Sequence, residues 1–315
     1  MEQKPTSVKN TLIACPYCHS QLFDEGKEFL RCAKCNIEKK YIKIGKIYSF
    51  LNSAEKDLDL SIAKWNQYYS NLESHYIKER LQAYVTEDFS YVYPQLTENE
   101  TLNKNKVFLE IGCGPMFFAS QIAREVKLVI GVDFSLEALM LAQKLLDQEG
   151  IDNYLLIHGD IKYMPLSSSC VDLIYGGGVL EHFKDTSKAV SEMYRVLKDN
   201  GKTFNTVPYL NLGSLTYRQM WGNIPNVPML KQLAEFIHIK VLKSRHMKFG
   251  YELSFTSSNL IRLHKQAGFR KVVVSHFKTR LVFEYIKNPI VRNVVTWMAE
   301  NLPMFWPMVK VEASK

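Results

Sequence analysis

Residues 107–116 read VFLEIGCGPM, and no other stretch limits the fold as tightly. An apolar run carries an acid, Glu110, and leads to two glycines, Gly112 and Gly114, before a helix-like segment from Phe117 to Val126. A second apolar run, LVIGVDFS, contains Asp133 and follows the turn by about twenty residues. A strand, a glycine turn, a helix and a second strand closing on an acid make a βαβ unit suited to a nucleotide-type ligand. Glycines let the backbone approach the ligand closely, and the acid accepts hydrogen bonds from a ribose. The dinucleotide pattern GxGxxG is incomplete, because Phe117 stands where its third glycine belongs. That weakens a pyrophosphate-binding reading.

Further motifs follow in order. They are His158-Gly159-Asp160-Ile161, then Val171-Asp-Leu-Ile-Tyr-Gly-Gly-Gly-Val-Leu-Glu-His182, then a helical EMYRVLKDNG and a strand GKTFNTVP. The series resembles class I S-adenosylmethionine-dependent methyltransferases, nearest the small-molecule branch that includes ubiquinone and menaquinone biosynthesis enzymes. It covers roughly residues 105–315. The resemblance implies an α/β fold with a Rossmann-like seven-stranded sheet whose last strand is antiparallel. It implies S-adenosyl-L-methionine as cofactor. It places Glu110, Gly112, Cys113 and Gly114 around the methionine and ribose. Asp133 would bind the ribose hydroxyls, with Phe134 against the adenine. Asp160 would meet the adenine amino group and the Ile161 backbone the ring edge, and Gly176 and Gly177 would open beside the methyl donor. Bland readings stand beside these: Asp160 as a helix cap and Phe134 as a core aromatic. Many relatives carry glycine where this chain has Met116, which either narrows the pocket or starts the helix.

Cys15-Pro-Tyr-Cys18 and Cys32-Ala-Lys-Cys35 are two CxxC knuckles separated by thirteen residues. Thiolates so spaced can converge on one tetrahedral zinc, and four protein ligands close the site, so its role is structural. His19 is then not needed as a ligand. The alternative is two disulfides. The N-terminus is polar and lysine-containing, without a secretory pattern, which points to a reducing cytoplasm and against them. The segment resembles the small zinc-ribbon proteins that activate translation-related methyltransferases, here fused to the enzyme. Residues Ile44 to Leu51 would complete the ribbon's sheet, and the ribbon would have its own core.

The division expected is 1–52 as zinc ribbon, 53–104 as helical linker and cofactor lid, and 105–315 as the methyltransferase domain, with a substrate-cap insertion at 210–253. Leu58, Ile62, Trp65, Tyr69, Leu72 and Tyr76 recur at helical spacing, a face that packs on the main domain or covers the cofactor. The net charge of +8 is unevenly spread: about +4 over 1–52, about −7 over 53–209 and about +11 over 210–315. No apolar run reaches the ~18–20 residues of a membrane span. Asn288-Pro289 should cap and open an amphipathic helix, with an in-plane membrane helix over residues 290–302 as the alternative. Nothing in the sequence sets an oligomeric state.

The reaction implied is direct displacement of a methyl group, with a base if the nucleophile is a hydroxyl. His182, on the rim past the fourth strand, is the candidate catalytic base; a structural histidine capping the next helix is the other reading. Tyr209, Tyr217, Trp221, His238 and His246 are the candidate substrate contacts. The amino-methylation signature [NDS]PP[YF] is missing, since its place reads Gly176-Gly-Gly-Val. Three functions follow: a small-molecule methyltransferase, acting on a hydroxyl of a sugar, phenolic or polyketide-like intermediate; an rRNA or tRNA methyltransferase that holds nucleic acid with its ribbon and basic termini; and a non-catalytic binding protein of the same fold. The intact glycine turn, Asp133 and Asp160 favour an enzyme, and the aromatic insertion favours the small-molecule partner.

Overall fold

A computed structural model describes residues 11–24, 28–35, 40–51, 60–72, 77–216, 222–247, 250–278, 283 and 286–315. Its N-terminal strands β1 (Leu22–Asp24), β2 (Phe29–Cys32), β3 (Lys40–Ile44) and β4 (Ile47–Ser49) form an antiparallel meander. The central strands β5 (Val107–Ile111), β6 (Leu128–Asp133), β7 (Tyr154–His158), β8 (Val171–Gly177) and β9 (Leu197–Pro208) are parallel. Strands β10 (Ile224–Pro225) and β11 (Leu253–Ser254) make a small parallel pair of their own. β12 (Lys271–His276) and β13 (Met308–Ser314) finish the large sheet, with β13 inserted antiparallel between β9 and β12.

The order across the large sheet is β1-β2-β3-β4-β7-β6-β5-β8-β9-β13-β12. Its last seven members are the expected α/β sheet with an antiparallel final strand. The strand count is larger than expected because β4 pairs in parallel with β7. That pairing covers an edge whose backbone N–H and C=O groups would otherwise lie open. Every residue of β5 and β6 is buried, as befits parallel strands covered by helices on both faces.

Sequence-encoded caps set the helices. Ser135 accepts from the Ala138 amide and starts the helix Leu136–Gln148, whose Leu139, Ala142 and Leu146 are buried on the sheet. Thr256 caps Ser257–Ala267, and Gly268, at φ 112°, ends it. Asn288 caps Pro289–Asn301 as its sequence requires. The helix carrying EMYRV stops earlier than its sequence suggests, at Val196, because Leu197 turns extended and pairs with Val171. No described helix is long and apolar enough to cross a membrane.

The ribbon does not have a core of its own. Cys15, Leu30, Tyr41 and Tyr48 belong to the same buried cluster as Ile157, Ile161 and Met164. The Ala14 amide donates to Pro165 O at 3.0 Å, and the Phe50 amide to His158 O at 2.8 Å. Phe50 is buried, with its ring 4.8 Å from that of Tyr41. Phe50→Ala should therefore cost about 3–5 kcal/mol and lower one unfolding transition of the whole chain. Differential scanning calorimetry checks this, and two separated transitions would show that the ribbon melts alone.

Candidate functional site

The carboxyl ends of β5, β6 and β8 converge, as ligand sites in open α/β sheets do. After β5 the chain turns at Gly112 and Gly114, with φ of 57° and 51°. Side chains are disfavoured there on backbone grounds, and space forbids them too. A Cβ on Gly112 would lie 2.6 Å from Val179, and one on Gly114 2.6 Å from the Tyr69 hydroxyl. Asp133, at the end of β6, holds this turn. One carboxylate oxygen accepts from the Gly114 amide at 2.8 Å, the other from the Ser135 amide at 2.8 Å. Burial pushes its pKa up to about 6, and backbone donors at Ser135, Gly114 and Phe134 oppose that rise.

Glu110 is buried within β5 and accepts from the Ala119 amide at 2.9 Å, tying the strand to the helix Phe117–Ile122. Burial drives its pKa to about 8, the Ala119 bond opposes the rise, and Asp133 adds repulsion. The Cys113 and Met116 sulfurs face Gly131, behind the turn. Met116 adopts a left-handed conformation, φ 57°, at the start of its helix and does not line the cavity.

A cavity of about 130 Å³ lies against the turn. Its floor includes Gly112, Asp133, Phe134 and Ile161, and its far wall is Gly177, Val179 and His182. Trp65 and Tyr69, from the helix Leu60–Ser70, close it over. Their rings stack at 5.9 Å, and Trp65 meets His182 edge-on at 6.1 Å. Burial, then the charge of Asp133, keeps the Tyr69 phenol well above its usual pKa and hence neutral. The volume is below the ~300–1,000 Å³ common for ligand pockets, because these two aromatic side chains occupy its roof. The residues fit an adenosine-type cofactor: an acid on the ribose side, glycines at the turn, and Phe134 with Ile161 as apolar walls. A larger cleft, about 440 Å³, includes Glu100, Lys202 and Glu312; Lys202 pairs with Glu100 at 2.9 Å, far from this chemistry.

His182 is fixed by the insertion. Its Nδ1 donates to the Tyr251 carbonyl at 2.8 Å, a bond that a carbonyl can only accept, so Nε2 is the nitrogen that accepts protons. Burial holds its pKa below the usual histidine value, despite that bond and the Glu252 charge. The ring is therefore neutral at pH 7.

Other expected residues lie apart. Gly176 packs on Ile111 and Asn205 rather than on the cavity. The Asp160 carboxylate caps the short 3-10 turn Ile161–Tyr163, accepting from Lys162 N at 2.8 Å. Tyr209 packs near Trp306, 6.4 Å between centroids, and receives a hydrogen bond from Ser257 at 3.3 Å. His238 and His246 bond each other at 2.8 Å; burial, then repulsion from His246, lowers the His238 pKa. Among the described residues, none of these three lines the cavity. Tyr217 and Trp221 fall outside the described residues. Trp65, Val179 and Phe183 were not singled out as site residues from sequence; for Trp65 the signal was the helical stripe it shares with Tyr69.

At the ribbon, the thiol sulfurs of Cys15, Cys18, Cys32 and Cys35 lie within 4.8 Å of one another. Cys15–Cys35 and Cys18–Cys32 are 3.6 and 3.4 Å apart, and none forms a disulfide. Sulfurs at ~2.3 Å from a tetrahedral zinc sit ~3.8 Å apart, so the set fits that ion. The Cys35 amide donates to the Cys32 sulfur at 3.4 Å and the Tyr41 hydroxyl lies 3.7 Å from Cys15, supporting partners around the sulfurs.

Comparison with known proteins agrees with this geometry. Residues 109–204 match a family model described as a methyltransferase domain. The demethylmenaquinone methyltransferase of Lactiplantibacillus plantarum is 28% identical over 192 residues, 56% of this chain and 75% of that protein. The uncharacterized methyltransferase YdaC of Bacillus subtilis is 30% identical over 127 residues, 36% of this chain and 68% of that protein. Among solved structures, a chain from the complex of the Haloferax volcanii Trm112 methyltransferase activator with a methyltransferase shares the fold. Its TM-score is 0.54 at 12% identity, covering 79% of this chain and 96% of that one.

Proposed function

The chain belongs to the class I S-adenosylmethionine-dependent methyltransferases, and on that premise we propose that it methylates a hydroxyl oxygen of a small-molecule biosynthetic intermediate, of sugar, phenolic or polyketide-like type. The observation that carries this reading is the fixed tautomer of His182 on the wall of a roofed, aromatic-lined cavity. The relative named for demethylmenaquinone also supports a small-molecule acceptor.

When bound, S-adenosylmethionine supplies a methyl group on a positively charged sulfur. Asp133 holds the ribose hydroxyls, the Gly112–Gly114 turn lets the backbone approach, and Phe134 and Ile161 flank the base. Trp65 and Tyr69 act as the lid and keep water out. His182 Nε2 would take the hydroxyl proton of the acceptor as its oxygen bonds to the methyl carbon and the carbon–sulfur bond breaks, the electron pair staying on the departing sulfur. The resulting imidazolium keeps its Nδ1–H on the Tyr251 carbonyl. One structural zinc is held by Cys15, Cys18, Cys32 and Cys35, and the ribbon buttresses the strand edge beside Phe134 and Ile161.

Cofactor affinity should depend on pH through Asp133. Its pKa near 6 means that a proton competes with the ligand in the acid range. Ligand hydroxyls and a cationic sulfur favour the ionised form, so affinity falls as pH drops below that value. The Kd for S-adenosylmethionine at pH 5 should be about tenfold weaker than at pH 7.5, and Asp133→Asn should flatten the profile between pH 5 and 7. At pH 7.5, Asp133→Ala should weaken binding about ten- to a hundredfold, through loss of charge-assisted hydrogen bonds. Isothermal calorimetry reads both, and unchanged affinity in the alanine variant would sink the assignment.

His182→Ala should lower kcat by about 10²–10⁴ with cofactor affinity intact. Release of S-adenosylhomocysteine, assayed over panels of phenolic, sugar and polyketide-like acceptors, identifies the substrate and measures the loss. Full turnover by the variant removes His182 as base. Turnover of RNA, with none of any hydroxyl compound, removes the small-molecule reading.

Elemental analysis should find one zinc per chain. Because the ribbon shares the main core, Cys32→Ser should lose the metal and lower the Tm of the whole chain. Full zinc content in a Cys15→Ser/Cys32→Ser variant would contradict the ligand set.

A further inference from the structure

The helix Pro228–Glu235 continues without a break into the π-helical turn Phe236–Val241. Along it Met229, Leu230, Leu233, Phe236, Ile237 and Val241 fall on one stripe, at the spacing that normally faces a core. Here that stripe faces solvent: Met229 is 83% exposed and Phe236 59%. The opposite side, with Ala234, His238 and Ile239, is the one that packs inward. Over residues 228–245 four bases, Lys231, Lys240, Lys243 and Arg245, stand against one acid, Glu235. That acid is turned inward, where it accepts from the Tyr251 hydroxyl at 2.6 Å. The helix Pro289–Asn301 also exposes apolar side chains, Ile290 73% and Trp297 56%, but carries one base, Arg292, against one acid, Glu300.

We propose that this apolar and basic surface docks the protein on an anionic phospholipid bilayer. Charge complementarity selects that occupant. An apolar stripe bordered by lysine and arginine lies in the headgroup plane, apolar side down, with its cations near anionic lipid. A second copy would bring the same positive border against itself, along a rod only ~20 Å long. Trp297 is a side chain suited to the membrane–water boundary. The helices lie on the surface rather than cross it, since none is long and apolar enough to span.

The position of the stripe gives the docking a use. Glu235 on this rod bonds Tyr251, whose carbonyl orients His182. The cavity wall at His182 is therefore tied to the docking element through Tyr251. Bilayer binding itself needs neither cofactor nor acceptor, so it is tested apart from methyl transfer.

The test is sedimentation of the full-length protein with sucrose-loaded vesicles of phosphatidylcholine alone or of phosphatidylcholine and phosphatidylglycerol at 3:1. Binding to the anionic vesicles should be about tenfold or more tighter and should weaken in high salt. Leu233→Glu/Phe236→Glu should abolish binding. Lys240→Glu/Lys243→Glu should remove the preference for phosphatidylglycerol. Circular dichroism and S-adenosylhomocysteine binding confirm that each variant is folded. Failure of the native protein to bind either vesicle overturns the proposal, as does equal binding by the Leu233→Glu/Phe236→Glu variant. Sedimentation equilibrium showing a dimer that this variant dissolves, without vesicle binding, assigns the stripe to self-association and also overturns it.

Discussion

The Asp133 carboxylate is the joint on which the site is built. Its two oxygens take one backbone N–H each, from Gly114 after β5 and from Ser135 after β6. Two strand ends and two helix starts are thereby fixed to each other through one side chain. Ser135, held this way, in turn caps the helix Leu136–Gln148. Gly114, held this way, keeps the left-handed conformation that brings bare backbone to the cavity. A single buried acid thus sets both the shape of the turn and the charge that faces a ligand.

Much of this was legible in the sequence because it is local. The glycine turn, the acid about twenty residues on and the caps at Thr256 and Asn288 each need particular residue types, and those types stand in the sequence. What stayed hidden runs through backbone groups, which carry no signature. The pairing of β4 with β7 is made by amides and carbonyls, so the run Ile47-Tyr48-Ser49 gives no hint that it extends the main sheet. The Tyr251 carbonyl that orients His182 is equally silent. Trp65 and Tyr69 were visible as a helix face, but a stripe that covers a ligand cavity has the same period as one that covers a core. Cys113 and Met116 sit in the motif yet face Gly131, because the turn, left-handed at Gly112, Gly114 and Met116, aims both side chains at β6 rather than at the cavity.

The ribbon's attachment has consequences at the cavity. Ser49 on β4 bonds His158 Nδ1 at 2.8 Å, and His158 Nε2 bonds the Phe134 carbonyl at 3.0 Å. A carbonyl only accepts, so Nε2 carries the proton and Nδ1 accepts from the Ser49 hydroxyl. Burial lowers the His158 pKa and keeps this neutral tautomer in place. Beyond β7 along the chain, the Leu12 carbonyl takes the Ser167 amide at 2.8 Å, just past the segment that holds Ile161. Both apolar sides of the cavity are thus steadied by residues of the first fifty, so the four-cysteine ribbon and the sheet form one body.

Two buried acids set the electrostatics of that body. Glu110 and Asp133 are both buried, and among the described residues neither has a cationic partner within ion-pair distance. Burial raises both, to about 8 and about 6, so the site by itself holds its charges at a cost. Only Asp133 lines the cavity, so a cationic ligand there would favour its ionised form, whose backbone donors at Gly114 and Ser135 are already in place.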